Sequence, residues 1–401
     1  MPRRSVLVRI LQVVTLVVVT VLFVVLIIDS FLNDGKPLTT LRPEGPAAQD
    51  IQNLVWPVFL VAGIVFVGVF GAIGFIIMKF RQRDDDDPEQ FPEQVHGRTG
   101  LEIGWTILPA LILAGVAVGT VITIINLDKR ADDAIPVKVV GQQFWWSFHY
   151  DLNNDGNFEG PEDLTTAGEL VVPVGREIEI VTTSNDVIHS FWIPGLNGKK
   201  DAVPNLLNPI KLEADVEGVF LGQCTEFCGL SHANMRMLVR SVSQDTYDAW
   251  LENQLTDKSA EPTDPDAAEG REIFTQQCAA CHLVDGVSDP EDVPLVAGVA
   301  PDLTHLMTRG TFAGSIFNLY APDGEPIGGN PEEVANPGDP GEALTGGPVD
   351  EGRVNRGILE DWLRNAPALK PAAADEGRGM PDLGLTEDQI DKLVAYLYTL
   401  N

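Results

Sequence analysis

Cysteine, histidine and methionine are scarce in this sequence: 4, 6 and 6 among 401 residues. The cysteines form two tight pairs, Cys224/Cys228 and Cys278/Cys281. Both pairs sit inside short motifs, so none is left over for a structural disulfide framework. Positive charge is also short. Lys and Arg number 27 against 58 Asp and Glu, a net charge of −31. Such a chain is a poor ligand for nucleic acid; its acidity suits basic partners or simple solubility. No internal repeat stands out. The length is enough for two or three domains.

Long apolar runs, by contrast, are plentiful near the N terminus. Residues 10–28 form a long, largely apolar run after Arg3, Arg4 and Arg9. The run is longer than a usual signal-peptide core and lacks a clear small-residue cleavage site after it. It reads as a retained transmembrane helix, with cleavage of residues 1–30 left open. Residues 54–78 and 103–126 form two further spans within a hairpin over 50–130. Each is long enough to cross the hydrocarbon layer. Lys79, Arg81 and Arg83 follow the first of these at once and mark that end as cytoplasmic. Everything after about residue 127 is then expected outside. The inner loop carries Asp84–Asp87 and leads into a helix that starts near Glu102. A solvated acidic turn is the plain reading of that loop. An acid at a membrane boundary is also a candidate for proton uptake.

Residues 135–255 read as all-β, with short β-branched or alternating runs separated by turn residues. Their densest chemistry is the stretch 222–235, GQCTEFCGLSHANM. Cys224, Glu226, Cys228, His232 and Met235 place thiol, imidazole and thioether donors on one short loop, and His189 lies upstream in HSFW. Soft and borderline donors of this kind suit copper in electron transfer. Zinc, or a disulfide between the two cysteines, is the alternative. Zinc has little use for the thioether, and a disulfide leaves the histidines unexplained.

The pattern HSFW…CxExCGxxHxxM resembles subunit II of the haem–copper oxidases. The resemblance implies a cupredoxin-type fold and a binuclear CuA centre. By it, Cys224 and Cys228 bridge two coppers, and His189 and His232 each bind one. Met235 and the Glu226 carbonyl are the weak outer ligands, with the Glu226 side chain reaching Mg2+ at the boundary with subunit I. It also places Glu102, in LEIGWTILP, at the mouth of a proton channel in subunit I. Phe144, Trp145 and Trp146 match the aromatic electron path beside CuA. Relatives commonly carry Trp where this chain has Phe144, which puts entry from a separate cytochrome c in doubt. After KKDAVP, relatives commonly carry Gly where this chain has Asn205. Asp201 is a candidate docking residue or support for the centre.

Independently of any family, residues 151–162 (DLNNDGNFEGPE) satisfy a calcium-loop pattern through Asp151, Asn153, Asp155, Gly156 and Glu162. Strand-like flanks also permit a plain hairpin turn of the same composition. Residues 256–267 are polar and Pro-containing and read as a flexible linker. Cys278-Ala-Ala-Cys281-His282 then supplies the c-type haem attachment signature, with His282 as one axial ligand. The second axial ligand should be a methionine. Met380, in GRGMPDLG, resembles the Met-Pro loop of class I cytochromes c, and Met307 is the competitor. His305 reads as a loop or core residue. Thr386 and Gln389 form a capping box ahead of a last amphipathic helix. Residues 321–350 are too rich in Gly and Pro for a packed element.

The architecture expected is therefore a multi-domain membrane protein: a helical hairpin, an all-β cupredoxin-like domain and an all-α class I cytochrome c domain over 268–401. As a whole it resembles subunit II of a caa-type oxidase. That implies an electron-entry subunit, fed by cytochrome c or a bc complex and passing electrons from haem c through CuA to subunit I. There O2 is reduced to water with proton pumping. The implied setting is a bacterial plasma membrane, with both redox domains outside. A CuA-containing nitric oxide reductase and a free-standing tethered electron carrier are the competing readings.

Overall fold

The computed structural model describes residues 38–81, 96–158, 160, 162–288, 299–320, 338–373 and 378–401, together with 14, 15, 18–22 and 25. Those last positions are helical; the rest of the expected first span lies outside the described residues, as does 321–337 of the Gly/Pro-rich stretch. Two long helices come first, α1 (Pro46–Lys79) and α2 (Thr99–Asp128), of 34 and 30 residues. At 1.5 Å per residue they are roughly 50 and 45 Å long, more than a bilayer core requires. Their large apolar side chains, such as Phe59, Phe66, Leu108 and Ile122, stand exposed. Among the described residues these are the two helices long and apolar enough to cross a membrane.

The next unit is a two-sheet β sandwich. One sheet has the order β3-β2-β1-β5-β8 and the other β4-β10-β9. The strands are β1 (Ile135–Gln142), β2 (Trp145–Tyr150), β3 (Leu164–Ala167), β4 (Glu169–Pro173), β5 (Ile178–Ser184), β8 (Asn208–Leu212), β9 (Gly218–Gln223) and β10 (Arg236–Val242). A separate hairpin pairs β6 (His189–Trp192) with β7 (Lys199–Ala202). Most neighbours are antiparallel, but β1 with β5 and β4 with β10 are parallel, so the chain crosses between sheets. Alternating residues of β1 and β5 (Val137, Val139, Ile178, Ile180) point into the core, as the period of two requires. Helix α3 (Gln244–Gln254) closes one end by setting Trp250 against Tyr150, ring centres 5.6 Å apart. This is the cupredoxin-like arrangement expected. Asn205 has a φ of +63°, the left-handed region that asparagine tolerates better than most residues after glycine.

The C-terminal unit is built on α4 (Pro265–Gln277), α5 (Arg356–Leu369) and α6 (Glu387–Leu397), with a two-residue-per-strand ribbon of β11 (Thr311–Phe312) and β12 (Phe317–Asn318). The capping box at Thr386 and Gln389 is formed as the sequence leads one to expect. Helices α4 and α6 cross closely because Gly270 has no side chain. A Cβ there would sit 2.6 Å from the Lys392 carbonyl carbon and 2.9 Å from Tyr396 Cβ. Residues 256–267 are not a free tether. The Thr256 carbonyl faces His305 Nε2 at 3.0 Å, the Lys258 amide donates to Asp285, and Arg271 donates to the Ser259 carbonyl. A polar composition signals a segment without its own core, and here the backbone groups of Thr256, Lys258 and Ser259 bond to the C-terminal unit instead.

Gly270→Ala should destabilise the C-terminal unit by about 1–3 kcal/mol, the usual cost of overpacking. A thermal melt of the full chain that matches the parent would contradict this account of the α4–α6 crossing.

Candidate metal centre and haem cavity

The loop after β9 is closed by its own backbone: the Cys224 amide donates to the Met235 carbonyl at 2.9 Å. Thr225 donates to Ser190, tying the loop to the β6 hairpin, and His232 donates to Gly229. The result converges every expected donor. Cys224 and Cys228 Sγ atoms lie 3.9 Å apart, far beyond a disulfide bond. Cys224 Sγ is 3.9 Å from His189 Nδ1 and 3.3 Å from the Glu226 carbonyl. Cys228 Sγ is 3.5 Å from His232 Nδ1 and 3.8 Å from Met235 Sδ. His189, Cys224, Cys228 and Met235 are all buried, while the Glu226 side chain is exposed. Two sulfurs flanked by two imidazoles and a thioether are a donor set that suits copper.

Electrostatics prepare the thiols. Hydrogen bonding from Cys228 pulls Cys224 well below the usual thiol range, against burial and with help from His189; Cys228 is pushed correspondingly up. Metal binding to such thiols is coupled to loss of their protons. Burial alone would depress His189, but its hydrogen bond to Asp186 and the neighbouring Cys224 outweigh this and raise it. Asp186 Oδ1 lies 2.8 Å from His189 Nε2, which leaves Nδ1 turned to Cys224. Asp186 carries this task unmarked by any motif; its only sequence signal is its place three residues before His189. Gly141 on β1 makes room for the same ring: a Cβ there would be 2.8 Å from His189 Cδ2. Trp146 packs edge-on against His189 at 5.8 Å.

The second site is a cavity lined by Cys278, Cys281, His282 and Met380 with apolar walls that include Phe274 and Leu393. Helix α4 ends at Gln277, so its last turn presents the attachment motif. His282 Nδ1 lies 2.8 Å from the Pro301 carbonyl, freeing Nε2. Burial lowers the imidazole, which favours the neutral form that a metal ligand needs. Burial also pushes the Cys278 thiol up to about 12. Met380 lines the cavity, whereas Met307 is fully buried in the core and outside that lining. His305 has both ring nitrogens at 3.0 Å from backbone carbonyls, those of Asn401 and Thr256. Arg309 was not foreseen from sequence. It lines the cavity, is buried, and keeps Nε without a hydrogen-bond partner among the described residues. Its Nη2 donates to the Asp302 carbonyl at 2.6 Å, and a carboxylate of a porphyrin would fit the unsatisfied Nε–H.

Phe144 and Trp145 line this same cavity from the β sandwich. Glu102 stands exposed in the first turn of α2, and Asp201 stands exposed on β7 opposite Ser190. In the β2–β3 hairpin the Asp151 carboxylate accepts the amides of Asp155 and Gly156, Asn153 and Asp155 accept amides of their own turn, and Glu162 is exposed.

A membrane-anchored electron-transfer protein is the class these features define, with one thiol–imidazole centre and one c-type haem site. The chain belongs to the cytochrome c oxidase subunit II family. The model of its periplasmic domain matches residues 135–242, that of its transmembrane domain residues 41–121, and a cytochrome c model residues 267–347. Cytochrome c oxidase subunit 2 of Alkalihalophilus pseudofirmus is 33% identical, covering 94% of this chain and 95% of its own. That of Bacillus sp. is 31% identical, covering 91% and 92%. The crystal structure of the periplasmic domain of cytochrome oxidase subunit II from Bradyrhizobium japonicum is 30% identical over 31% of this chain and 95% of that one, with a TM-score of 0.28. The chain is a membrane protein and the electron-entry subunit of an oxidase, working with the other oxidase subunits, and CuA copper and haem c are its family's centres. The nitric oxide reductase reading is not favoured.

Gly141→Ala should displace His189 and weaken copper binding about 10–100-fold, the range for a disturbed ligand support. Copper titration of the purified full chain, read by EPR, checks it; undiminished affinity would show that the ring has room.

Proposed function

We propose that electrons enter this chain at a haem held by Cys278, Cys281, His282 and Met380 and leave it through a copper pair held by His189, Cys224, Cys228, His232, Met235 and the Glu226 carbonyl. Bound there, haem and dicopper supply two successive one-electron relays. The chain's own part is to bury both sites, turn the His189 and His282 rings through their Asp186 and Pro301 hydrogen bonds, and hold the sites against one another. The observation that carries this reading is that Phe144 belongs to both: it lines the haem cavity, and its ring abuts Gly229, beside Cys228. A Cβ on Gly229 would be 3.3 Å from Phe144 Cζ. Electrons then pass to subunit I, where O2 is reduced to water with proton pumping.

Several finer parts belong to the same reading. The donor is a cytochrome c or a bc complex. The membrane is a bacterial plasma membrane, with both redox units on the outer side. Trp145 and Trp146 join Phe144 on the aromatic path, Glu102 admits protons towards subunit I, and Glu226 contributes to a Mg2+ site. The 151–162 turn is the position for Ca2+. Metal analysis of the purified complex, with melting curves recorded with and without chelator, tests the last two.

For the core of the proposal, Cys228→Ser in the assembled oxidase should abolish the dicopper EPR signal while leaving covalent haem intact. Met380→Leu should do the reverse, keeping copper but losing the methionine-ligated haem spectrum. Retention of both signals in either variant would refute the ligand assignment.

A further inference from the structure

The two redox units are fastened along a buried seam. Glu169 on β4 accepts the Thr311 amide and hydroxyl at 2.8 and 2.9 Å while pairing with Arg240 at 3.2 Å. The Arg236 amide donates to the Gly314 carbonyl at 3.0 Å, and Ser231 donates to the Pro371 carbonyl. Arg378, two residues before Met380, reaches Asp186 at 3.2 Å. Leu344 and Ala372 from the haem side pack into the sandwich core.

At the centre of this seam lies Lys370, at the end of α5 and 8% exposed. Its Nζ donates to the Phe144 carbonyl at 2.6 Å and to the Ala313 carbonyl at 2.7 Å. One acceptor belongs to the copper unit and the other to the haem unit. Burial pushes this amine down to about 7, a cost that an exposed lysine would not carry. Gln143 is gripped from the other side, its side-chain amide donating to the Cys228 carbonyl. The Gln143–Phe144 pair is therefore held by Lys370 towards the haem cavity and by the Cys228 loop towards the metal centre.

We infer that Lys370 is a positioning residue for electron transfer within the chain, a latch that sets the wall at Phe144 between the haem cavity and the dicopper loop. This rests on the haem-to-copper direction proposed above. One electron crosses without a proton, so the iron is oxidised by one unit as the copper pair is reduced by one. Lysine suits the position because its long stem crosses the seam and its head can serve two carbonyls at once. Gly314 leaves the space. It has a φ of +74°, and a Cβ there would meet Lys370 Nζ and lie 2.7 Å from the Phe144 carbonyl oxygen.

The test uses the assembled oxidase and the full chain. Lys370→Met keeps the stem and removes the donor. It should slow flash-initiated transfer from haem c to copper by roughly tenfold or more, while reduction of the copper by a small inorganic donor stays unchanged. Lys370→Gln, which keeps an N–H donor, should recover part of the rate. Gly314→Ala should reproduce the defect from the other wall. Independently of the cofactors, Lys370→Met should speed hydrogen exchange at the Thr311 and Arg236 amides, which cross the seam, by about tenfold. Parental transfer rates and parental exchange in Lys370→Met would overturn the proposal. So would loss of covalent haem or of the dicopper signal in both Lys370→Met and Gly314→Ala, because the seam would then serve folding rather than alignment. If the parent itself fails to pass electrons from haem to copper, the functional reading falls, while the exchange data still judge the latch.

Discussion

The backbone bond from Cys224 to Met235 closes the loop on which both redox sites lean. Through it five side chains, separated in sequence and drawn from β6 and the β9–β10 connection, form a chain of pairwise contacts of 3.5–3.9 Å centred on the two sulfurs. The rigidity comes from beneath. β9 and β10 pair along their whole length and present the loop at one end of the sandwich. Trp146 and Gly141 confine His189 from the side, and Asp186 fixes its rotation. A centre that exchanges electrons gains from ligands that do not rearrange, and a loop clamped at both feet supplies that.

The same loop forms one wall of the contact with the haem unit. That contact is unusual in its polarity: the Glu169–Arg240 pair, Lys370 and Arg309 are all buried there or beside it. Buried charges contribute little net stability when paired, but removing one partner costs about 3–5 kcal/mol. Such a seam tolerates one alignment and penalises others. It turns two domains joined by a covalent link into a fixed pair, so that the high effective concentration given by tethering is accompanied by a defined orientation.

Much of this was legible beforehand. The membrane helices follow from uninterrupted apolar length, the strands from alternation, and the last helix from a capping box ahead of an amphipathic face. The donor residues were legible because Cys, His and Met are scarce here and cluster at intervals with few other uses. The 256–267 stretch was less so. Its polarity correctly says that it has no core of its own, but whether its backbone bonds go to water or to a neighbour depends on what folds beside it. Asp186, Gly141 and Arg309 left no trace in any pattern, since an ordinary acid, glycine or arginine gains its task only from what it touches.

The sequence by itself determined the elements and the inventory of candidate donors, because local periodicity, side-chain chemistry and spacing are properties of the chain alone. Tertiary structure decided which nitrogen of His189 faces the sulfurs, which methionine reaches the cavity, and that Phe144 is shared by both sites. Those outcomes depend on contacts between residues as far apart as Phe144 and Lys370, and no local rule encodes a distance that only the packed fold creates.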